Sequence, residues 1–450
     1  MIQTFSQGIS YLRHHVPSSS RRFPGQLGLD RQLEILRLLG NPQNKIKAIH
    51  IAGTSGKGST ASYLSHLLVA HQFNVGLTLS PHLLDIRERF QINNKFISKQ
   101  EFVFYLNQII PVIEKVANSN FGSPTFFEII TALSFFIFYQ KKVDFAVVET
   151  GLGGLLDGTN TISSPSKFSV FTKIGLDHTH ILGPNLTSIA FQKAGIIHPK
   201  NTVISINQYP SVKKILNQTT QKNHTQITFI APRKNFKNIH IKNLCLYYDY
   251  QFDHIHFSKI KLNTLALYQV ENSALSLTVL KFLSQKYDFI LNEKNIRHTL
   301  SHFKFYGRMD FYQLKSGHRI VLDGAHNPQK MKSFIQSLKN AFPNQKFTFI
   351  IAFKQRRDFK KILKYIIPLA QNIIVTSFLV TSQDMIHTSQ PIKTLIQFFK
   401  SINFSQFKII SDPKKAINSA VKLSQFVVIT GSLYLLGEIY PQLKLSGAKN

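Results

Sequence analysis

Two periods of apolar residues alternate along the chain, and that alternation predicts its architecture. The mostly apolar run 46–52 reads as a buried strand, while 59–70 places Tyr63, Leu64, Leu67 and Leu68 on one side of a helix. Residues 74–79 read as the next strand, 126–139 as a helix and 145–149 as a strand buried on both faces. This is the rhythm of a doubly wound α/β domain, because parallel strands need helical crossovers. Between 200 and 263 the texture changes to short β-like runs such as 226–230 and 244–248. A helical stretch follows over 269–286, and 297–308 reads as a connector. From His318 a second alternation begins, with strands at 320–322, 347–351, 373–376, 408–411 and 426–430.

Composition sharpens this picture without changing it. A chain of 450 residues with 43% hydrophobic content can bury two or three cores, so a globular protein is expected. Its single cysteine, Cys245, leaves no intrachain disulfide and no cysteine-based zinc site, and a cytoplasmic location is the default. The first 25 residues are polar, with Arg13, Arg21 and Arg22 and no long apolar stretch, unlike a secretory signal. The most apolar segment, 129–139, has about half the length of a membrane span, so no membrane insertion is expected.

The net charge of +32 raises nucleic-acid binding as a rival idea. The basic residues are spread along the chain, however, and no zinc-finger, RRM or KH pattern occurs. A solvated basic surface accounts for them, and no specific nucleic-acid partner is expected. With no heptads or interface stripe, a monomer is expected.

The densest chemistry follows the first strand, in Gly53-Thr54-Ser55-Gly56-Lys57-Gly58-Ser59-Thr60. Glycines let a strand-to-helix turn bring backbone N–H groups close to a phosphate, and Lys57 adds charge. The common phosphate loop puts Ser or Thr directly after the lysine; here Gly58 intervenes before Ser59, which excludes that pattern. A plain strand-to-helix turn is the bland alternative, and the lysine in register argues against it.

Other candidates lie near strand ends, where α/β sheets bind ligands. Glu149 closes a buried run and precedes Thr150-Gly151-Leu152-Gly153-Gly154. A carboxylate there suits Mg²⁺ beside phosphates, while a solvated strand-end Glu is the alternative. Asp177-His178 is read as closing another strand; histidine is a less usual magnesium ligand than carboxylate, and such a pair by itself is more often structural or hydrogen-bonded. Lys193 lies in an apolar segment; if semi-buried, its amine could react with CO₂ to give an anionic carbamate, whereas a surface lysine is the simpler reading.

In order, the chain shows LGLDRQLEILRLLGNPQ, HIAGTSGKGST, SPHLLDIRERFQIN, TFFEIITA, ETGLGGLLDGTN, IGLDHTHILG, KAGIIHP, YGRMD, LDGAHNP and TGSLYLLGE. Together these blocks resemble the folylpolyglutamate synthase and dihydrofolate synthase family of the Mur ligase superfamily, which are ATP-dependent amide ligases. The likeness runs from about Leu27 to Glu438.

The resemblance implies a P-loop-type doubly wound N-terminal domain over 1–296, a connector over 297–310 and a smaller α/β C-terminal domain over 311–450, with the active site in the cleft between them. It implies that Gly56, Lys57, Gly58 and Ser59 bind ATP phosphates, with Asn272, Arg308 and Asp323 as further ATP contacts. Ser80, Glu149 and His178 match magnesium-binding positions, and Lys193 matches a lysine that becomes carbamylated. Phe127, Leu156 and Asp157 fall in segments that hold the pterin-bearing substrate, and His326 is a further candidate catalytic residue beside Lys57 and Lys193. The implied reaction phosphorylates a carboxylate of dihydropteroate or of a reduced folate's glutamate tail, and L-glutamate then attacks the acyl phosphate. A Mur-type ligase acting on a cell-wall precursor and a basic nucleic-acid-binding ATPase are the alternatives.

Several positions depart from the family pattern. Leu155 stands in place of arginine and Gly158 in place of alanine in the block usually written GLGGRLDATN. Tyr306 replaces the proline before Gly307-Arg308, Tyr268 replaces the histidine before Gln269, and Gln355-Arg356-Arg357-Asp358 replaces an acidic and lysine-rich run. These positions bear on acceptor preference and on glutamate binding.

Overall fold

The computed structural model describes residues 1–17, 24–380 and 386–445; Arg21 and Arg22 lie outside the described residues. The chain divides into two compact units. Unit 1 comprises Met1–Lys237, Asp249–Ile260 and Glu271–Ser301, and unit 2 comprises Asn238–Tyr248, Lys261–Val270 and His302–Asn450.

Unit 1 is built on strands β1 (Lys47–Ala52), β2 (Val75–Thr78), β3 (Gln91–Ile92), β4 (Lys95–Phe96), β5 (Phe145–Glu149), β6 (Phe168–Phe171), β7 (Thr202–Ile206) and β8 (Ile227–Ile230). Their order is β4-β3-β2-β5-β1-β6-β7-β8, parallel except for the antiparallel β2-β3 and β3-β4 pairs at one edge. The chain passes from β5 to β6 across β1, so β1 sits where strand order reverses, which is where such sheets open a ligand crevice. The expected helix after β1 spans Lys57–Ala70 and is buried on most sides, including Tyr63, Leu64, Leu67 and Leu68.

β9 (Phe236–Lys242), β10 (Cys245–Phe252) and β11 (Ile255–Leu262) form a three-stranded sheet. Beyond it, the segment read as a connector is largely regular: Glu293–His302 is a helix, and Arg308 opens a strand. Only Ile296 and Leu300 are buried in that polar helix, too short a stripe to mark it from the pattern alone.

Unit 2 carries β12 (Arg308–Gln313), β13 (Arg319–Asp323), β14 (Phe347–Ile351), β15 (Ala370–Val375), β16 (Leu379–Val380), β17 (His387–Thr388), β18 (Phe407–Ile409) and β19 (Phe426–Thr430). Its main sheet runs β12-β13-β19-β14-β15-β18, with β12 antiparallel to β13 and the other pairs parallel. The core includes Phe334, Phe347, Phe349 and Phe399, together with Leu265 and Ala266 from the segment before the long helix Tyr268–Tyr287. Among the described residues no helix is long and apolar enough to cross a membrane.

One buried ion pair fixes the helix Phe126–Gln140. Arg31 donates to both carboxylate oxygens of Glu128 at 2.7 and 3.0 Å, and its Nη1 donates to the Phe121 carbonyl at 2.8 Å. Glu128 also completes a capping box with Thr125 at the helix start. Removing one member of such a pair strands the other charge, so Glu128→Gln is expected to lower unfolding free energy by about 3–5 kcal/mol in urea titration. The double variant Arg31→Met, Glu128→Leu should lose less than Glu128→Gln; an equal or larger loss would contradict this account.

Candidate active site

β1 delivers the chain into a phosphate-loop geometry whose backbone is held at several points. Thr54 N and Ser55 N both donate to the Lys173 carbonyl at 2.9 and 3.1 Å. Thr54 Oγ1 exchanges bonds of 3.0 Å with the Gly175 carbonyl and amide. Lys193 is buried, and its Nζ donates to the Gly53 carbonyl at 2.9 Å. Gly56 turns the chain into the helix at φ 94°, a left-handed conformation that a side chain resists. A Cβ there would also overlap Asn272 Oδ1, so the structure brings Asn272 against the loop. No side chain caps this helix, an arrangement that suits an anion at its start.

Lys57 opens the helix with Gly58 and Ser59 behind it, and Lys57 Nζ lies 3.7 Å from Glu149 Oε1. The other carboxylate oxygen accepts the Ser80 amide at 2.9 Å. Lys57, Ser80 and Glu149 are therefore assembled at the ends of neighbouring strands. Glu149 is thus a nearly buried carboxylate held by one amide hydrogen bond and one long ion pair, the kind of oxygen ligand that hard cations take.

His178 is placed differently from the reading that put it at a strand end: β6 stops at Phe171, and residues 172–177 intervene. It starts the short helix Thr179–Leu182 at φ 50°, with its Nε2 3.8 Å from Asp177 Oδ1. Among the described residues no group of three or more His, Cys, Asp or Glu side chains is arranged to hold a metal.

The segment 151–160 folds onto this assembly. Phe127 covers Gly151, where any Cβ would overlap its ring, and it lines a small cavity with Ser80, Arg89, Glu149 and Thr159. Leu156 is exposed, whereas Asp157 is buried with its carboxylate turned inward. Asp157 Oδ2 accepts the Leu152 amide at 2.6 Å, and Oδ1 accepts the Thr159 amide and hydroxyl at 3.0 and 2.5 Å. Burial pushes the Asp157 carboxyl up, against the opposing pull of hydrogen bonds from Thr159, Leu152 and Gly151. Leu155 donates its amide to the Gln192 carbonyl at 2.6 Å, and Asn160 Nδ2 bridges the Leu155 and Gly195 carbonyls. The 151–160 loop is thus tied to the end of the helix that carries Lys193.

Two contributors escaped the sequence reading: Arg89 in the cavity wall, and His50 on β1 itself. The signals were present in RER and HIAG, but partners distant in sequence give them meaning.

In unit 2, Asp323 ends β13 and is buried. Tyr268 donates to its Oδ2 at 2.5 Å, and Ala325 N donates to Oδ1 at 2.8 Å. Burial raises the Asp323 carboxyl to about 6, opposed by the Tyr268 bond and the Arg308 charge. Arg308 donates to the Gly307 carbonyl at 2.9 Å and lies over the Phe305 ring. His326 packs its Nδ1 2.8 Å from the Gly324 carbonyl, and Lys330 Nζ donates to its Nε2 at 3.0 Å. That donor makes Nε2 the acceptor and Nδ1 the N–H.

Comparison with known proteins now gives this geometry a family. Residues 51–280 match the Mur ligase middle domain, and residues 308–444 match the C-terminal domain of dihydrofolate synthetase. The chain is 30% identical to a dihydrofolate synthetase of Saccharomyces cerevisiae over 92% of its own length and 97% of the relative. It is 28% identical to a dihydrofolate synthase/folylpolyglutamate synthase of Bacillus subtilis over 94% of its own length and 96% of the relative. The structure of Mycobacterium tuberculosis folylpolyglutamate synthase complexed with ADP and AMPPCP superposes with a TM-score of 0.85 at 25% identity, covering 98% of this chain and 99% of that one. Fold and loop together define a ligase of the Mur type. Within that class, the chain belongs to the dihydrofolate synthase/folylpolyglutamate synthase family.

Asp323 supplies a pH signature. Its folded value lies above its ordinary one, so its contribution to stability is full in acid and is lost as pH rises through about 6. The melting temperature of Asp323→Asn relative to the parent chain should therefore become more favourable from pH 4.5 to pH 7.5. A difference that moves the other way in calorimetry would contradict the assignment.

Proposed function

We propose that this ligase uses ATP to activate the carboxylate of dihydropteroate and joins L-glutamate to it, acting first as a dihydrofolate synthase. The observation carrying the choice of acceptor is the match of residues 308–444 to a dihydrofolate synthetase C-terminal domain. The nucleotide complexes of the M. tuberculosis relative support ATP as the co-substrate. Neither the cell-wall ligase nor the nucleic-acid ATPase is favoured by these relatives.

Gly56, Lys57, Gly58 and Ser59 bind the phosphates, with Lys57 neutralising charge on the phosphoryl group in transit. Asn272 backs the loop, and Arg308 and Asp323 are assigned further ATP contacts on family resemblance. Phe127, Leu156 and Asp157 shape the acceptor side; Asp157 does so through its own loop, because both its oxygens are already engaged. Ser80 and Glu149, with His178 assigned by resemblance, would hold Mg²⁺, which when bound offsets phosphate charge. The acyl phosphate gives glutamate's amine a good leaving group, and phosphate departs as the amide forms. His326, fixed by Lys330, is assigned to the amino-acid step. A monomeric state and a cytoplasmic location complete the proposal.

Carbamylation of Lys193 is compatible with its position. The neutral amine adds CO₂ and releases a proton; the carbamate nitrogen keeps one N–H, so the bond to Gly53 can persist while one negative charge shared over two oxygens is added. A ¹³C carbamate resonance should appear with labelled bicarbonate and vanish in Lys193→Met; an unchanged spectrum would remove the modification.

The acceptor is tested by supplying dihydropteroate or tetrahydrofolate with ATP, Mg²⁺ and labelled glutamate. Dihydropteroate should be converted, and Lys57→Met should lower kcat by about 100-fold or more. Product with tetrahydrofolate alone would reassign the enzyme to tail extension, and product with neither would end the ligase proposal.

A further inference from the structure

His50 lies in the middle of β1, fully buried, three residues before the phosphate loop begins. Its Nε2 is 2.8 Å from Thr159 Oγ1 and 3.2 Å from Thr150 Oγ1. Thr159 spends its hydroxyl proton on Asp157 Oδ1 at 2.5 Å, so the Thr159 oxygen can only accept from the ring. That order of donors sets the tautomer: Nε2 carries the hydrogen. Nδ1 has no hydrogen-bond partner among the described residues, consistent with its being the bare nitrogen. Burial first, then the nearby charges of Lys167 and His198, hold the imidazole well below its usual value, so the ring is neutral.

The result is a directed chain in which His50 Nε2–H donates to Thr159 Oγ1–H, which donates to Asp157. It begins on the strand that launches the phosphate loop and ends on the carboxylate that organises residues 151–159 beneath Phe127. The same Nε2 touches Thr150, the neighbour of Glu149. No other side-chain contact described above joins β1 directly to the acceptor loop.

We propose that His50 is a positioning residue for the acceptor: through Thr159 it sets the Asp157 loop, and so the Phe127 wall, in register with the phosphate loop. The inference rests on the reading of 151–159 as the acceptor side of a folate-type ligase. His50 itself touches no substrate and moves no proton in the reaction. A ring locked in one tautomer by an ordered pair of hydroxyls is suited to holding geometry, and small misplacements of an acceptor carboxylate are costly to in-line transfer.

The test is steady-state kinetics of the full chain, with each substrate varied in turn. His50→Phe keeps the ring volume and removes the donor; it should raise KM for dihydropteroate about tenfold, as expected for losing one buried hydrogen bond, and leave KM for ATP within about twofold. Thr159→Val should give the same split, and the double variant should be no worse than the worse single one, because both break one chain. His50→Gln, which restores a donor, should recover most of the loss. Multiplying effects in the double variant, an equal rise in KM for ATP, or parent-like kinetics in His50→Phe would each overturn the proposal.

A second measurement does not depend on turnover. Long-range ¹H–¹⁵N spectra of histidine-labelled protein, with the His50 signal assigned by its loss in His50→Gln, should show a neutral ring protonated at Nε2 near pH 7. An Nδ1–H or doubly protonated ring would overturn the proposal. Parent enzyme that turned over neither acceptor but showed the expected tautomer would instead count against the functional reading and leave the contact standing.

Discussion

The phosphate loop depends on what holds its backbone. A run of glycines is flexible by composition, and flexibility alone would dissipate the alignment of N–H groups that an anion needs. Here the slack is removed before the helix begins: Lys193 ties the Gly53 carbonyl, Lys173 takes the Thr54 and Ser55 amides, and Asn272 closes against Gly56. Everything downstream inherits its position from this clamp, because Lys57 is the next residue and its ammonium then meets Glu149. The same lysine that anchors Gly53 ends the helix to which the 151–160 loop is tied, so the glycine loop and the 151–160 loop share one reference point within unit 1.

The buried carboxylates are managed in contrasting ways, and the contrast separates scaffolding from chemistry. Glu128 is neutralised by a forked arginine, and Asp157 is saturated by backbone and hydroxyl donors. Asp323 is shared between Tyr268 and the Ala325 amide. Glu149 is looser, with one amide donor and an ammonium at 3.7 Å. Of the four, Glu149 keeps the fewest close partners.

Much of this was legible from residues whose meaning is local. The strand over Phe145–Glu149 is legible as an unbroken apolar run, the helix from Lys57 through Tyr63, Leu64, Leu67 and Leu68, and the glycine loop because its turn requires glycine. The doubly wound organisation follows from the alternation of such elements. What escaped depends on partners far away in the chain. Nothing near His50 announces Thr159, and nothing near Arg31 announces Glu128. Tyr268 looks like a lost histidine until its hydroxyl is seen on Asp323. The helix over Glu293–His302 was hidden for a simpler reason: its apolar stripe is too thin to stand out among polar neighbours.

The threading of the chain has its own consequence. Leu265 and Ala266, at 2% and 0% exposure, complete the core of unit 2, although the polypeptide returns to unit 1 before the rest of that unit is reached. During synthesis from the N-terminus, this apolar tract must therefore wait for strands that emerge later from the ribosome. A cut at residue 302, the obvious place to separate two halves, would leave the first fragment with an orphaned sticky segment and the second with an unfilled hole. The two units are compact individually, yet the polypeptide is sewn through both, and each is expected to mature only when the whole chain is present.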